Sequence, residues 1–130
     1  MIIDTSALIA ILRQEEDAGI IAEAAGKAEK ISISAATWFE AAIVADRFRA
    51  PSVGRRFDDI CRELSLAVVP LDEAQARIAR EAYRDFGKGS GHKAQLNFGD
   101  CFAYALAKTM NEPLLYKGTD FSQTDVRTAV

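Results

Sequence analysis

Short apolar runs alternate with longer stretches of helical periodicity along this chain, and no other feature constrains its fold so strongly. Met1 to Asp4 is too brief for a helix, and Thr5 to Gln14 continues with Leu8, Ile11 and Leu12 at helical spacing. After an acidic helical stretch from Asp17 to Lys30, Ile31-Ser32-Ile33-Ser34 alternates apolar and polar residues, and Ala35 to Phe48 reads as a helix rich in apolar residues. Pro51-Ser52 punctuates the chain before Val53, Phe57, Ile60, Cys61 and Leu64 mark one stripe of an amphipathic helix. Leu66 to Leu71 is the third strand candidate, and Asp72 with Gln75 reads as a capping box opening a helix through Phe86. A glycine-rich, basic segment from Gly87 to Asn97 precedes a helix from Gly99 to about Met110 and a last strand candidate at Leu114-Leu115-Tyr116. The tail, Lys117 to Val130, is polar and turn-like, with one edge strand expected near Val126.

This order, without repeats or low-complexity segments, predicts an α/β fold: one domain over residues 1–130, with a mostly parallel central sheet flanked by helices on both faces. At 130 residues and 49% hydrophobic content, the chain can bury a core without disulfides or structural metal. Cys61 and Cys101 lie inside apolar helical patterns, show no zinc or disulfide spacing, and read as reduced, buried residues. Trp38, Phe39 and Phe48 are expected in the core, with a dimer interface as the alternative. The net charge of -3 provides no global basic field, so any nucleic-acid contact must rest on a local patch. The apolar N-terminus lacks a basic leader, carries Asp4 and stops at Arg13 before bilayer-spanning length, so a cytoplasmic protein without a membrane partner is expected.

Asp4, Glu40, Asp100 and Asp120 each fall just past a predicted strand or at the opening of a helix. Parallel strands point the same way, so residues that follow different strands converge on one edge. Four anions gathered there must protonate or receive a counter-charge, and an oxygen-rich site of this kind suits Mg²⁺ or Mn²⁺. The chain reads first as a metal-dependent enzyme.

Each acid also has a plainer explanation. Asp4 and Asp100 stand where helix N-caps belong, and Asp120, close to Gly118, is explicable as a turn residue, with Asp125 as its nearest competitor for the fourth acidic position. Glu40 is harder to dismiss, because its helical neighbours Ala36, Thr37, Ile43 and Val44 supply no cation. Thr5 and Ser6 follow Asp4 directly; their hydroxyls can orient a water or a ligand carboxylate, or simply cap the helix. The only histidine, His92, leaves no His-based triad to assign. Gly87-Lys88-Gly89-Ser90-Gly91-His92-Lys93 follows a helix rather than a strand and fails the spacing of a phosphate loop. Lys88, His92 and Lys93 are nevertheless candidates to hold an RNA backbone, against the alternative of ordinary solvated surface. Arg47, Arg49, Arg55 and Arg56 form a second basic segment.

Taken together, Met1-Ile2-Ile3-Asp4-Thr5-Ser6-Ala7-Leu8, Glu40 in the helix after the second strand, Asn97-Phe98-Gly99-Asp100-Cys101-Phe102-Ala103-Tyr104-Ala105 and Lys117-Gly118-Thr119-Asp120-Phe121 resemble the PIN-domain ribonucleases, particularly the VapC-type toxins. The resemblance spans nearly the whole chain and rests on the order and separation of these segments, since no one of them is specific alone. It implies a single PIN-like domain that cleaves RNA with Mg²⁺ or Mn²⁺ until a cognate VapB-like antitoxin covers the site, and a homodimer. Matched position by position, Asp4, Glu40, Asp100 and Asp120 correspond to the family's acidic quartet. Asp4 and Asp100 are then the direct metal ligands, with Glu40 and Asp120 binding through water or activating the attacking water. Lys88, His92 and Lys93 are not carried over from the family.

Two other classes compete. A receiver- or phosphatase-like phosphoryl-transfer domain would use an acidic strand end and a lysine such as Lys117, but the acid partner next to or two residues after Asp4 is missing. A non-catalytic interaction domain follows if the four acids do not converge.

Overall fold

Four strands of two or three residues carry the sheet: β1 (Ile2–Ile3), β2 (Ser32–Ser34), β3 (Ala67–Val69) and β4 (Leu114–Leu115). They belong to a computed structural model that describes residues 1–130. All pair in parallel, in the order β3-β2-β1-β4. β1 is therefore interior, with Ile2 aligned to Ser32 on one side and to Leu114 on the other.

Six helices connect and cover the strands: α1 (Thr5–Leu12), α2 (Ala18–Lys27), α3 (Ala35–Asp46), α4 (Pro51–Glu63), α5 (Glu73–Phe86) and α6 (Asp100–Met110). Successive strand residues point to opposite faces, which divides the interior in two. Ile2 and Leu114 pack with α5 and α6, whereas Ile3, Ile33 and Leu115 pack with α1 to α4. The predicted α/β architecture, with helices on both faces, is the observed one. No helix is long and apolar enough to cross a membrane.

Local details depart from the sequence pattern for identifiable reasons. α3 buries Thr37, Ala41 and Ala45, spaced four apart, and these small side chains let it pack against α1. That narrow stripe leaves Phe39 61% exposed, and Phe48, past the end of α3, is 42% exposed, so neither lies in the core. Phe48 instead lies beneath the Arg13 guanidinium, 5.4 Å away. Trp38 does pack inward, its ring centroid 6.3 Å from that of Phe57.

Asp72 caps α5 as expected, accepting from the Gln75 backbone N–H at 2.8 Å, but the Gln75 side chain donates to the Pro70 carbonyl instead of completing the box. Cys61 is half-buried and Cys101 buried, both free. The tail pairs with the sheet edge slightly later than expected. Leu114 N–H donates to the Arg127 carbonyl at 2.8 Å, and Ala129 N–H donates to the Leu114 carbonyl at 2.9 Å, forming a bridge centred on Thr128 rather than a strand at Val126. Asp125 accounts for the delay: it accepts from Tyr104 Oη at 2.7 Å and Lys108 Nζ at 2.9 Å, clasping the tail to α6 before it reaches the sheet.

Candidate active site

Each acid arrives from a different segment: Asp4 directly after β1, Glu40 from α3 behind β2, Asp100 in the first turn of α6 and Asp120 beyond β4. Asp4 is buried at the N-cap of α1. Its Oδ2 accepts from the Ser6 backbone N–H at 3.0 Å and the Ser6 hydroxyl at 2.7 Å. The same hydroxyl oxygen accepts from Lys117 N–H at 2.9 Å, which ties the chain after β4 to Asp4. Asp4 Oδ1, by contrast, is buried without any hydrogen-bond partner.

Asp100 repeats this division. Asn97 and Asp100 form a reciprocal capping box, with Asp100 N–H donating to Asn97 Oδ1 at 2.8 Å and Asn97 N–H to Asp100 Oδ2 at 3.0 Å. Asp100 Oδ2 is thus committed to the backbone, while its Oδ1 has no donor within the chain. Asn97 is a supporting residue that the sequence motif contains but propensity alone does not single out; the Asn-x-x-Asp spacing is its signal. Glu40 finds its donor in Thr5, whose hydroxyl lies 2.5 Å from Oε1. That hydroxyl is 3.3 Å from the Thr37 carbonyl, but its single proton goes to the shorter contact.

The four acids act on one another electrostatically. Burial pushes the Asp4 carboxyl up to about 6 against the lowering effect of the Ser6 hydrogen bonds, and the Glu40 charge raises it further. Burial likewise pushes Asp100 up to about 7, opposed by the Asn97 N–H and reinforced by the charges of Asp4, Asp120 and Glu40. All three other acids therefore act on Asp100. As they stand, no three Asp, Glu, His or Cys side chains are close enough together to hold a metal ion.

Asp120 is exposed and has no hydrogen bond to its side chain, immediately before the short helical turn Phe121–Gln123. Asp125 is held below the usual carboxylate range by Tyr104 and Lys108. It serves the tail, whereas the charge of Asp120 acts on Asp100.

The cations lie elsewhere. Lys117 pairs with Glu15 and, at 3.4 Å, with Asp17, so it is drawn toward the α1–α2 connection and away from a phosphoryl-transfer role. His92 braces its own loop, accepting from Ala94 N–H at 3.0 Å and meeting Phe86 edge-on with centroids 4.9 Å apart. Lys88 and Lys93 are exposed and form no ion pair with the four acids. Beside Glu40, an open groove of about 470 Å³ is lined by Phe39, Ile43, Arg47, Phe98 and Phe102.

A parallel sheet with acids gathered past the carboxyl ends of its strands defines an α/β protein with an enzyme-like site. Comparison with known proteins narrows the class. The PIN domain family model matches residues 1–127. Ribonuclease VapC28 of Mycobacterium tuberculosis is 52% identical over 130 residues, covering 100% of this chain and 98% of that protein. Ribonuclease VapC of Mycolicibacterium smegmatis is 49% identical over 127 residues, covering 97% of each. Among solved structures, VapC20 of Mycobacterium tuberculosis, described as a toxin that cleaves the sarcin-ricin loop, superposes with a TM-score of 0.74 at 15% identity, covering 96% of this chain and 95% of that one. A toxin–antitoxin complex from Klebsiella pneumoniae gives a TM-score of 0.71 at 19% identity, covering 99% and 97%. The chain belongs to the PIN domain family, among its VapC-type members.

The raised carboxyls have a pH signature in metal-free protein. A carboxyl that titrates at about 7 when folded and near 3.9 when unfolded binds more protons in the folded state between those values. Wild-type stability from Asp100 is therefore present at low pH and lost as pH rises toward 7. Asp100→Asn does not titrate, so its stability relative to the parent is expected to increase from pH 4 to 8, by at most about 4 kcal/mol at 1.36 kcal/mol per pKa unit. Urea unfolding in EDTA across that range checks this; a flat difference would show that Asp100 titrates normally.

Proposed function

We propose that this chain is a divalent-metal-dependent endoribonuclease acting in the cytoplasm as the toxin of a toxin–antitoxin module. The observation that carries the metal reading is Asp4 Oδ1: buried, unpartnered and acting by its charge on a second carboxyl, Asp100, that burial first and then the other acids push up. An oxygen in that position is costly unless protonated or offered a cation. The donor set is all oxygen, which fits a hard ion such as Mg²⁺ or Mn²⁺. The names of the relatives support ribonuclease activity.

Asp4 and Asp100 would hold the ion through their free oxygens, with Glu40 and Asp120 alongside. When bound, it supplies Lewis acidity toward water and neutralises charge on the phosphodiester. The chain's own residues do the positioning. Ser6 fixes Asp4 and Asn97 fixes Asp100, each through Oδ2, which leaves Oδ1 free of donors. Thr5 orients Glu40, and Glu40 and Asp120 are the bases available to take a proton from the attacking water. EDTA should abolish cleavage of single-stranded RNA and added Mn²⁺ should restore it, while Asp4→Asn and Asp100→Asn should each lower kcat by at least about 10²-fold, the scale of a lost electrostatic group. Wild-type turnover in EDTA would refute the metal reading.

Lys88 and Lys93 are the cations assigned to the RNA backbone, supported by their exposure on the loop that leads into α6. Changing both to Ala in a non-cleaving Asp100→Asn background should weaken RNA binding. The log–log salt slope should fall by about 0.7 per lost contact on a single strand. An unchanged slope would move the RNA path to the arginines between Arg47 and Arg56.

Two protein surfaces complete the reading. Phe39 and Phe98, 61% and 75% exposed, which line the groove together with Ile43, support a homodimer that covers this apolar face. The acidic edge favours an antitoxin that inserts a basic side chain, best an Arg paired bidentately with carboxylate. Phe98→Asp is expected to shift sedimentation from dimer to monomer, and co-expressed antitoxin is expected to slow hydrogen exchange around Asp100. A monomeric parent, or exchange unaltered by a tight partner, would overturn the respective assignment.

A further inference from the structure

Gly99 does not need to be glycine for its backbone. At φ -64° and ψ -38° it occupies ordinary right-handed helical space, open to any residue, where glycine is a weak helix former. What excludes a side chain is Glu40. A Cβ at residue 99 would lie 2.0 Å from Glu40 Oε2, 2.8 Å from its Cδ and 3.1 Å from Oε1. On its far side, Glu40 Oε1 accepts from the Thr5 hydroxyl at 2.5 Å. The carboxylate is held between the first turns of α1 and α6, next to Asp100.

We propose that Gly99 is a positioning residue: the absence of its side chain admits the Glu40 carboxylate to the acidic site. The catalytic consequence rests on the nuclease reading, but the contact itself does not. Gly87 provides the contrast. It too has an unexceptional backbone, at φ -77° and ψ 166°, but its Cβ would lie 2.3 Å from the Tyr83 carbonyl oxygen. That obstacle is backbone and yields only if the end of α5 moves. At Gly99 the obstacle is the tip of a flexible side chain, which can swing aside. Alanine at 99 should therefore spare the fold and displace the carboxylate, whereas alanine at 87 should damage the fold.

The test combines a structural and a kinetic readout. In metal-free protein labelled with ¹³C-glutamate, the Glu40 carboxylate resonance, assigned by its loss in Glu40→Gln, is expected to move in Gly99→Ala. The melting temperature should stay within a few degrees of the parent and above that of Gly87→Ala. In RNA cleavage with Mn²⁺, Gly99→Ala should lower kcat by about 10²-fold, the scale of a 1 Å misplacement, with KM unchanged. It should add no further loss in the Glu40→Gln background. An unmoved resonance, a melting temperature as low as that of Gly87→Ala, or an equal kcat loss in both backgrounds would overturn the proposal. If the parent fails to cleave RNA, the nuclease reading falls while the resonance still decides the contact.

Discussion

β1 contributes only Ile2 and Ile3 to the sheet, yet it pairs with β2 on one edge and β4 on the other and is fully buried. Its two side chains feed separate cores, one under α5 and α6 and the other under α1 to α4. So short and so enclosed a strand delivers the next residue, Asp4, into the interior. Burial of that carboxylate is a direct consequence of the enclosed position of β1, and its raised pKa follows from burial before any neighbouring charge is considered. The site is costly because the scaffold that builds it is well packed.

The capping and ligand explanations of Asp4 and Asp100 are not exclusive. In both residues Oδ2 satisfies backbone donors at a helix start, and Oδ1 is left without a donor. Capping orients the carboxylate, so one interaction that stabilises the helix also aims the second oxygen. Thr5 acts on Glu40 in the same manner from the first turn of α1. Orientation of the acids is thus distributed over residues whose local role is structural.

Periodicity in the sequence was enough to locate the helices and the parallel strands, because each element's burial is one-sided or complete over its length. It was not enough for Phe39: α3 is apolar nearly all round, and which face is buried depends on the small residues Thr37, Ala41 and Ala45 meeting α1. Phe48 escapes for another reason, because the helix ends at Asp46. Among the acids, spacing after strands proposed the candidates, but it could not show that Asp125 is clasped by Tyr104 and Lys108 while Asp120 has no such partner. The role of Gly99 was equally hidden, since nothing local distinguishes a glycine that permits a turn from one that makes room for a side chain from another helix. His92 shows the reverse limit: its contact with Phe86 makes it part of the loop's own framework.

This dual use determines which substitutions can separate chemistry from folding. Alanine at Asp4 would remove cap and charge together, at about 0.5–2 kcal/mol for the cap alone, and alanine at Asp100 would remove the acceptor of the Asn97 N–H with the charge, so lost activity would be ambiguous. Asparagine is as good an N-cap as aspartate and retains an acceptor oxygen for the same N–H groups, while removing the negative charge. It relieves repulsion within the acidic cluster and withholds the anionic donor. A loss of cleavage in the asparagine variants, accompanied by unchanged or higher metal-free stability, is therefore the combination that a purely structural role cannot produce.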